Sequence, residues 1–72
     1  MFNIQNYSID ISPATLGNSQ YYIATVKELP DLVEYGKTYE EAHSLVVDSI
    51  EMLYNMAIEQ NRNFPGLDSN TV

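Results

Sequence analysis

The sequence contains no cysteine, a single histidine, three glycines and only three basic residues. Without cysteine, disulfides and thiolate metal sites are both excluded. His43 has no second histidine or cysteine to help it build a metal centre, so it is expected to be structural. The glycines do not assemble into a phosphate-cradling loop. No apolar run is long enough to span a bilayer. The opening MFNIQNYSID lacks the basic and apolar regions of a secretory signal, which makes a cytoplasmic location the expectation.

The shortage of positive charge is the most informative lack. Ten acidic residues against Lys27, Lys37 and Arg62 leave a formal net charge of −7 at pH 7. Nucleic-acid binders need a basic footprint to neutralise phosphates, and three scattered cations do not provide one. Direct DNA or RNA binding by this chain is therefore not expected. An acidic domain suits a basic protein partner, whose approach it would accelerate; the competing reading is that the charge only keeps a small protein dissolved.

What is present is one small domain. Seventy-two residues, 44% of them hydrophobic, suffice for a fold with a marginal core, which favours oligomerisation or a partner. The chain is organised around Leu29 to Ala42, LPDLVEYGKTYEEA. Leu29-Pro30-Asp31 is read as the end of an extended run, because proline gives no N–H to a ladder. Gly36 is read as a positive-φ turn. Thr38 to Glu41 spells the capping box, with Glu40 and Glu41 in a first turn that favours anions.

Before this stretch the pattern is sheet. Asn6 to Ser12 alternates, with Tyr7, Ile9 and Ile11 on one side. Phe2 and Ile4 are out of phase with it. Pro13 to Ser19 reads as a loop turning at Gly17-Asn18, Gln20 to Glu28 as a central strand, and Leu32 to Tyr35 as a short third strand. After it comes a helix from about Tyr39 to Gln60. Ala42, Leu45, Val46, Ser49, Ile50, Leu53 and Ala57 form the stripe expected to lie on the sheet. Val47, Tyr54 and Ile58 flank one side of it, and Met52 and Met56 the other. The apolar arc then covers roughly 200° of the helix, more than one sheet face uses. The excess predicts contact with a partner or another subunit through Val47, Tyr54 and Ile58, unless loops and tail cover it. The fold class is thus α+β, a small antiparallel sheet of three to four strands on one long helix. Residues 62–72 form a tail that Phe64 and Leu67 could anchor as an edge strand.

Chemistry is hard to place on this chain. Glu40 and Glu41 are accounted for by the helix start, Asp48 and Glu51 fall on one exposed helix face, and nothing makes Asp31 and Glu34 converge. No catalytic set, metal site or cofactor is expected. Six tyrosines in so short a chain are more suggestive, since tyrosine is favoured at interfaces.

The order of elements and the central stretch resemble the HicB-like antitoxin family over roughly Tyr7 to Leu53. Leu29-Pro30, Gly36, Thr38 and Glu40-Glu41-Ala42 match the family's strand end, turn and helix opening, and Tyr21 to Val26 match its preceding strand. Lys27-Glu28 stand where Pro-Asp is usual, Asp31 replaces a glycine and Lys37 an aspartate. The resemblance implies a β-β-β-α-β fold like a truncated ribonuclease H, without that enzyme's activity. It also implies a role in covering the active site of a small basic HicA-type mRNA interferase, often as a dimer or tetramer. The C-terminal DNA-binding domain of many members is not expected here. On this reading Asp31 and Glu34 would meet the basic partner, with Tyr22 and Tyr35 at the packed centre. The alternative is an orphan HicB-fold homo-oligomer, regulatory and without a toxin.

Overall fold

A computed structural model describes residues 2–65. A short 3-10 turn at Ile4–Asn6 leads into strands β1 (Ile9–Leu16), β2 (Ser19–Val26) and β3 (Leu29–Gly36), followed by helix α1 (Tyr39–Glu59). The strands form one antiparallel sheet in the order β1-β2-β3, and α1 covers one face of it, making a two-layer α+β fold. A possible fourth strand involving Leu67 lies outside the described residues; within them, 62–65 form no strand.

The β1–β2 hairpin turns at Gly17-Asn18 as expected, with Leu16 opposite Ser19. Gly17 has φ +63° and Asn18 is not left-handed, the type II′ pattern whose twist suits a tight hairpin. β1 however runs on through Pro13–Leu16, the stretch read as loop. The reason is positional. Hydrogen-bonded pairs alternate outward from the closing pair, so Pro13 falls at a non-bonded position of an edge strand, where its nitrogen faces away from β2.

The second turn also differs from expectation. It is Lys27-Glu28, not Pro30-Asp31, and Leu29 already pairs with Val26. Neither turn residue has positive φ, so the strands would splay. A bulge follows at once: Thr25 pairs with Val33 while Val26 pairs with Leu29, which leaves Pro30, Asp31 and Leu32 outside the ladder. Proline is tolerated there because it interrupts no pairing. The turn is tied to the start of β1 by Glu28, whose carboxylate accepts from the Ser8 N–H (2.8 Å) and Ser8 Oγ (3.1 Å).

Thr38 caps α1, its Oγ1 accepting from the Glu41 N–H at 3.0 Å. The reciprocal arm of the expected box reaches one residue further, to the N–H of Lys37 rather than Thr38. At the other end Asn61 is left-handed (φ +57°). The N–H of Asn61 donates to the Ile58 carbonyl and that of Arg62 to the Ala57 carbonyl, 3.1 and 2.9 Å, the two bonds of a Schellman stop.

Gly36 is needed for a different reason from the one its sequence context suggests. Its φ is not positive. A Cβ on it would lie 2.7 Å from the Ala42 Cα and closer still to the Ala42 nitrogen. The end of β3 and the first turn of α1 therefore meet backbone to backbone, and both Gly36 and Ala42 are buried.

From this contact the core follows. Ala42, Val46 and Ile50 descend the helix at spacings of four against Ala24 and Val26 of β2 and against Tyr7, and Tyr54 and Ala57 continue the buried line. At the far end Phe2, Tyr7, Phe64 and Tyr54 close a ring of aromatic contacts, with centroids 5.4–6.5 Å apart. The Tyr7 hydroxyl donates to the Pro65 carbonyl at 2.6 Å. Burial, the nearby Tyr54 and the Glu28 carboxylate raise the pKa of Tyr7 above its ordinary 10.0.

Two outcomes are expected. Gly36→Ala should destabilise by about 2–3 kcal/mol or more, because backbone has to move; Gly17→Ala, which meets nothing within 4 Å, should cost only the roughly 1–2 kcal/mol of a left-handed residue. Urea unfolding orders the two. The Ser8 N–H, aided by the Ser8 hydroxyl and Lys27, holds the Glu28 carboxyl below its ordinary 4.5. That contribution is present above pH 4.5 and fades as pH falls through the lowered value. Glu28→Gln should therefore flatten the acid limb of a Tm-versus-pH curve, while the alkaline limb, set mainly by the burial of Tyr7, should move less.

Candidate functional site

The residues proposed from sequence to meet a partner do not form one patch. Register places Tyr22 and Glu34 on the helix-facing side of the sheet, where Tyr22 pairs with Gly36 and Glu34 with Ala24. Tyr22 packs edge-on against Tyr39 at 6.3 Å. Glu34 accepts from Ser49 Oγ at 2.6 Å and ties β3 to the helix. Tyr35 points to the opposite, outer face and is 51% exposed. Asp31 is exposed on the bulge.

The helix residues need a similar correction. Tyr54 is 3% exposed and belongs to the core, so it offers no surface. Val47 is half-buried against the core, and only Ile58 stays open. Conversely Leu45, assigned to the sheet-facing stripe, is 39% exposed. His43 is exposed as well. At about 100° per residue the buried line is turned by roughly 40° from the expected stripe, toward Tyr54. The aromatic ring around Phe2 and Phe64 draws Tyr54 inward, and the Gly36–Ala42 contact fixes the other end. The unbroken four-residue spacing 42-46-50-54 carried this information; the broader three-and-four stripe obscured it.

What the rotation leaves open is a compact surface. Leu45, Met52 and Met56 lie within about 40° of one another around the helix, and Met52 is 57% exposed. Leu53, on the neighbouring face of the helix, lies against the bulged edge of β3. Between the two elements is a cleft of about 230 Å³ lined by Glu28, Leu29, Pro30, Asp31, Leu32 and Leu53. A second depression continues from Leu53 past Met56 and Ala57 to Phe64. Glu28 and Asp31, on the turn and bulge, are among the lining residues of the first cleft, and Asp48 and Glu59 are exposed on the helix. Arg62 lies at the foot of the second depression and donates to Gln60 Oε1 at 2.8 Å. An apolar trough with carboxylates at its lip can bury the apolar side chains of a ligand while pairing with its cations.

Among the described residues no group of three or more His, Cys, Asp or Glu could hold a metal ion, and no helix is long and apolar enough to cross a membrane. No family model, no curated protein and no solved structure gives a significant match to this chain. The likeness to the HicB-like antitoxins rests on the residues and the order of elements alone.

The two sides of α1 should respond differently to substitution. Met52→Asp, on the open stripe, should change stability by less than about 0.5 kcal/mol. Tyr54→Ala should cost about 3–5 kcal/mol by emptying the aromatic ring. Thermal unfolding of the two variants measures the contrast.

Proposed function

We propose that this chain is a HicB-like antitoxin that acts in the cytoplasm, docking on a small basic HicA-type mRNA interferase and blocking it by contact, with no catalytic step of its own. The observation that carries the reading is the pair of adjoining clefts that share Leu53, with Leu29, Leu32, Met56 and Phe64 in their lining and Glu28 and Asp31 at the lip, beside the exposed Leu45 and Met52 of the helix, in a protein of net charge −7. The methionines give such a surface adaptable packing, and the carboxylates steer a cationic partner to it. The β-β-β-α order and the 29–42 stretch support the same family reading. Asp31 keeps the role expected of it, at the lip of the trough. Tyr22 and Glu34 serve the sheet–helix contact instead.

The test pairs the purified chain with the product of the neighbouring reading frame. Titration calorimetry should show binding, and the mixture should lose ribonuclease activity that the neighbour shows alone. Raising NaCl from 50 to 500 mM should weaken binding by at least about tenfold, through screening of the acidic rim. Met52→Asp and Asp31→Lys should each weaken it by a similar factor while Tm holds. A neighbour that is not small and basic, or one whose activity this chain leaves untouched, removes the toxin reading.

A further inference from the structure

The chain has no cysteine, so its three methionines carry all of its sulfur. Met1 lies outside the described residues. Met52 and Met56 are one helical turn apart on the same side of α1. They are 57% and 43% exposed, so a dissolved oxidant reaches both thioethers without any opening of the fold. Met56 lines the second depression with Leu53 and Phe64, and Met52 lies on the open stripe beside it. The eight buried hydrophobic residues include no methionine. Among the described residues, then, all the sulfur sits on the helix flank of the trough and none of it in the packing that holds the fold.

This division decides what oxidation does. A thioether is apolar and packs adaptably. Its sulfoxide is polar and chiral, with an oxygen that accepts hydrogen bonds. In the free chain water satisfies that oxygen, and the core, which holds no sulfur, keeps its packing. Under an apolar ligand the same oxygen is stripped of water and left without a donor, which disfavours the bound state alone. Two such oxygens on successive turns apply the penalty twice over one small surface.

We propose that Met52 and Met56 form a modification site, oxidised by hydrogen peroxide to methionine sulfoxide, that turns the apolar trough polar and releases an apolar ligand held there. Its consequence for a toxin rests on the docking proposed above; the chemistry does not. A lone pair on the thioether sulfur attacks one oxygen of the peroxide. The S–O bond forms as the O–O bond breaks, and the departing hydroxide takes the proton of the transferred oxygen and leaves as water. Sulfur loses two electrons and the peroxide gains them, with no other group of the protein involved. Methionine sulfoxide reductases, one for each epimer, reverse the step. A ligand seated on the trough covers the two sulfurs and slows their oxidation.

The test treats the full chain, alone, with millimolar hydrogen peroxide, removes the oxidant with catalase and maps the peptides by mass. Those carrying Met52 and Met56 should each gain one oxygen at rates within about threefold of free methionine; the Met1 peptide is read separately. Far-UV circular dichroism should be unchanged and Tm should fall by less than about 5 °C. Nile red, a neutral apolar dye, should lose at least about half of its fluorescence enhancement on the oxidised chain. The neighbour's product should bind the oxidised chain at least about tenfold more weakly, and treatment with both reductases should restore mass, dye signal and affinity. Met52→Leu/Met56→Leu keeps the trough apolar and should make dye and partner binding indifferent to peroxide. Resistance of both methionines to peroxide, unfolding on oxidation, an unchanged dye signal, or a leucine variant that loses as much as the parent overturns the inference. So does a neighbour that binds the oxidised chain as tightly as the untreated one. A neighbour that never binds removes the toxin reading alone, and the mass, stability and dye measurements still decide this one.

Discussion

The fold depends on one close approach. Where β3 ends and α1 begins, Gly36 lets the strand backbone rest against the backbone of Ala42, and no larger side chain at 36 is compatible with that separation. The contact sets the height of the helix above the sheet and the line on which it lies. Everything along that line is then determined by helical geometry. Ala42, Val46, Ile50 and Tyr54 come round at intervals of four and go inside; Leu45, Met52 and Met56 come round about 120° away and stay out. Thr38 is part of the same device, because capping at 38 is what begins the helix in time for Ala42 to meet Gly36.

This helps explain which parts could be read from the residues. Thr38 and the acidic pair after it mark the helix start whatever the tertiary context, and the Gly17-Asn18 turn is equally local, so both were legible. The strand ends were not. Pro13 and Pro30 look like breaks when read alone, yet each sits at an edge or a bulge where the ladder makes no demand on it. Whether a proline ends a strand depends on which neighbour lies beside it, and that is a property of the sheet. The same holds for Gly36, whose importance is steric rather than conformational, and for Tyr54, whose burial depends on Phe2 and Phe64, distant in sequence. Asp31 and Tyr35, both expected to meet one partner, are exposed on different faces, and that separation follows from the bulge between β3 and β2.

The bulge deserves weight because it does two jobs with one irregularity. The Lys27-Glu28 turn lacks the left-handed residues that would match the sheet's twist, so three residues leave the pairing immediately after it. Releasing Pro30, Asp31 and Leu32 also opens the cleft between β3 and the helix and lifts a carboxylate to its lip. The Ser8–Glu28 bonds hold the base of that structure to the opposite edge of the sheet. Turn chemistry and trough geometry are thus coupled: a hairpin with a primed turn at 27–28 would pair straight through and close the groove.

A domain of this size has too little interior to hide all its apolar groups. Among the described residues only eight hydrophobic residues are buried, and most of the exposed large apolar ones collect on two surfaces. One, beside the helix, has Leu53 and Met56 in its clefts with Glu28 and Asp31 at the lip. The other is the outer sheet, where Leu16, Val33 and Tyr35 are exposed. Because they occupy different sides of the molecule, filling one leaves the other available, so neither surface relieves the exposure of the other.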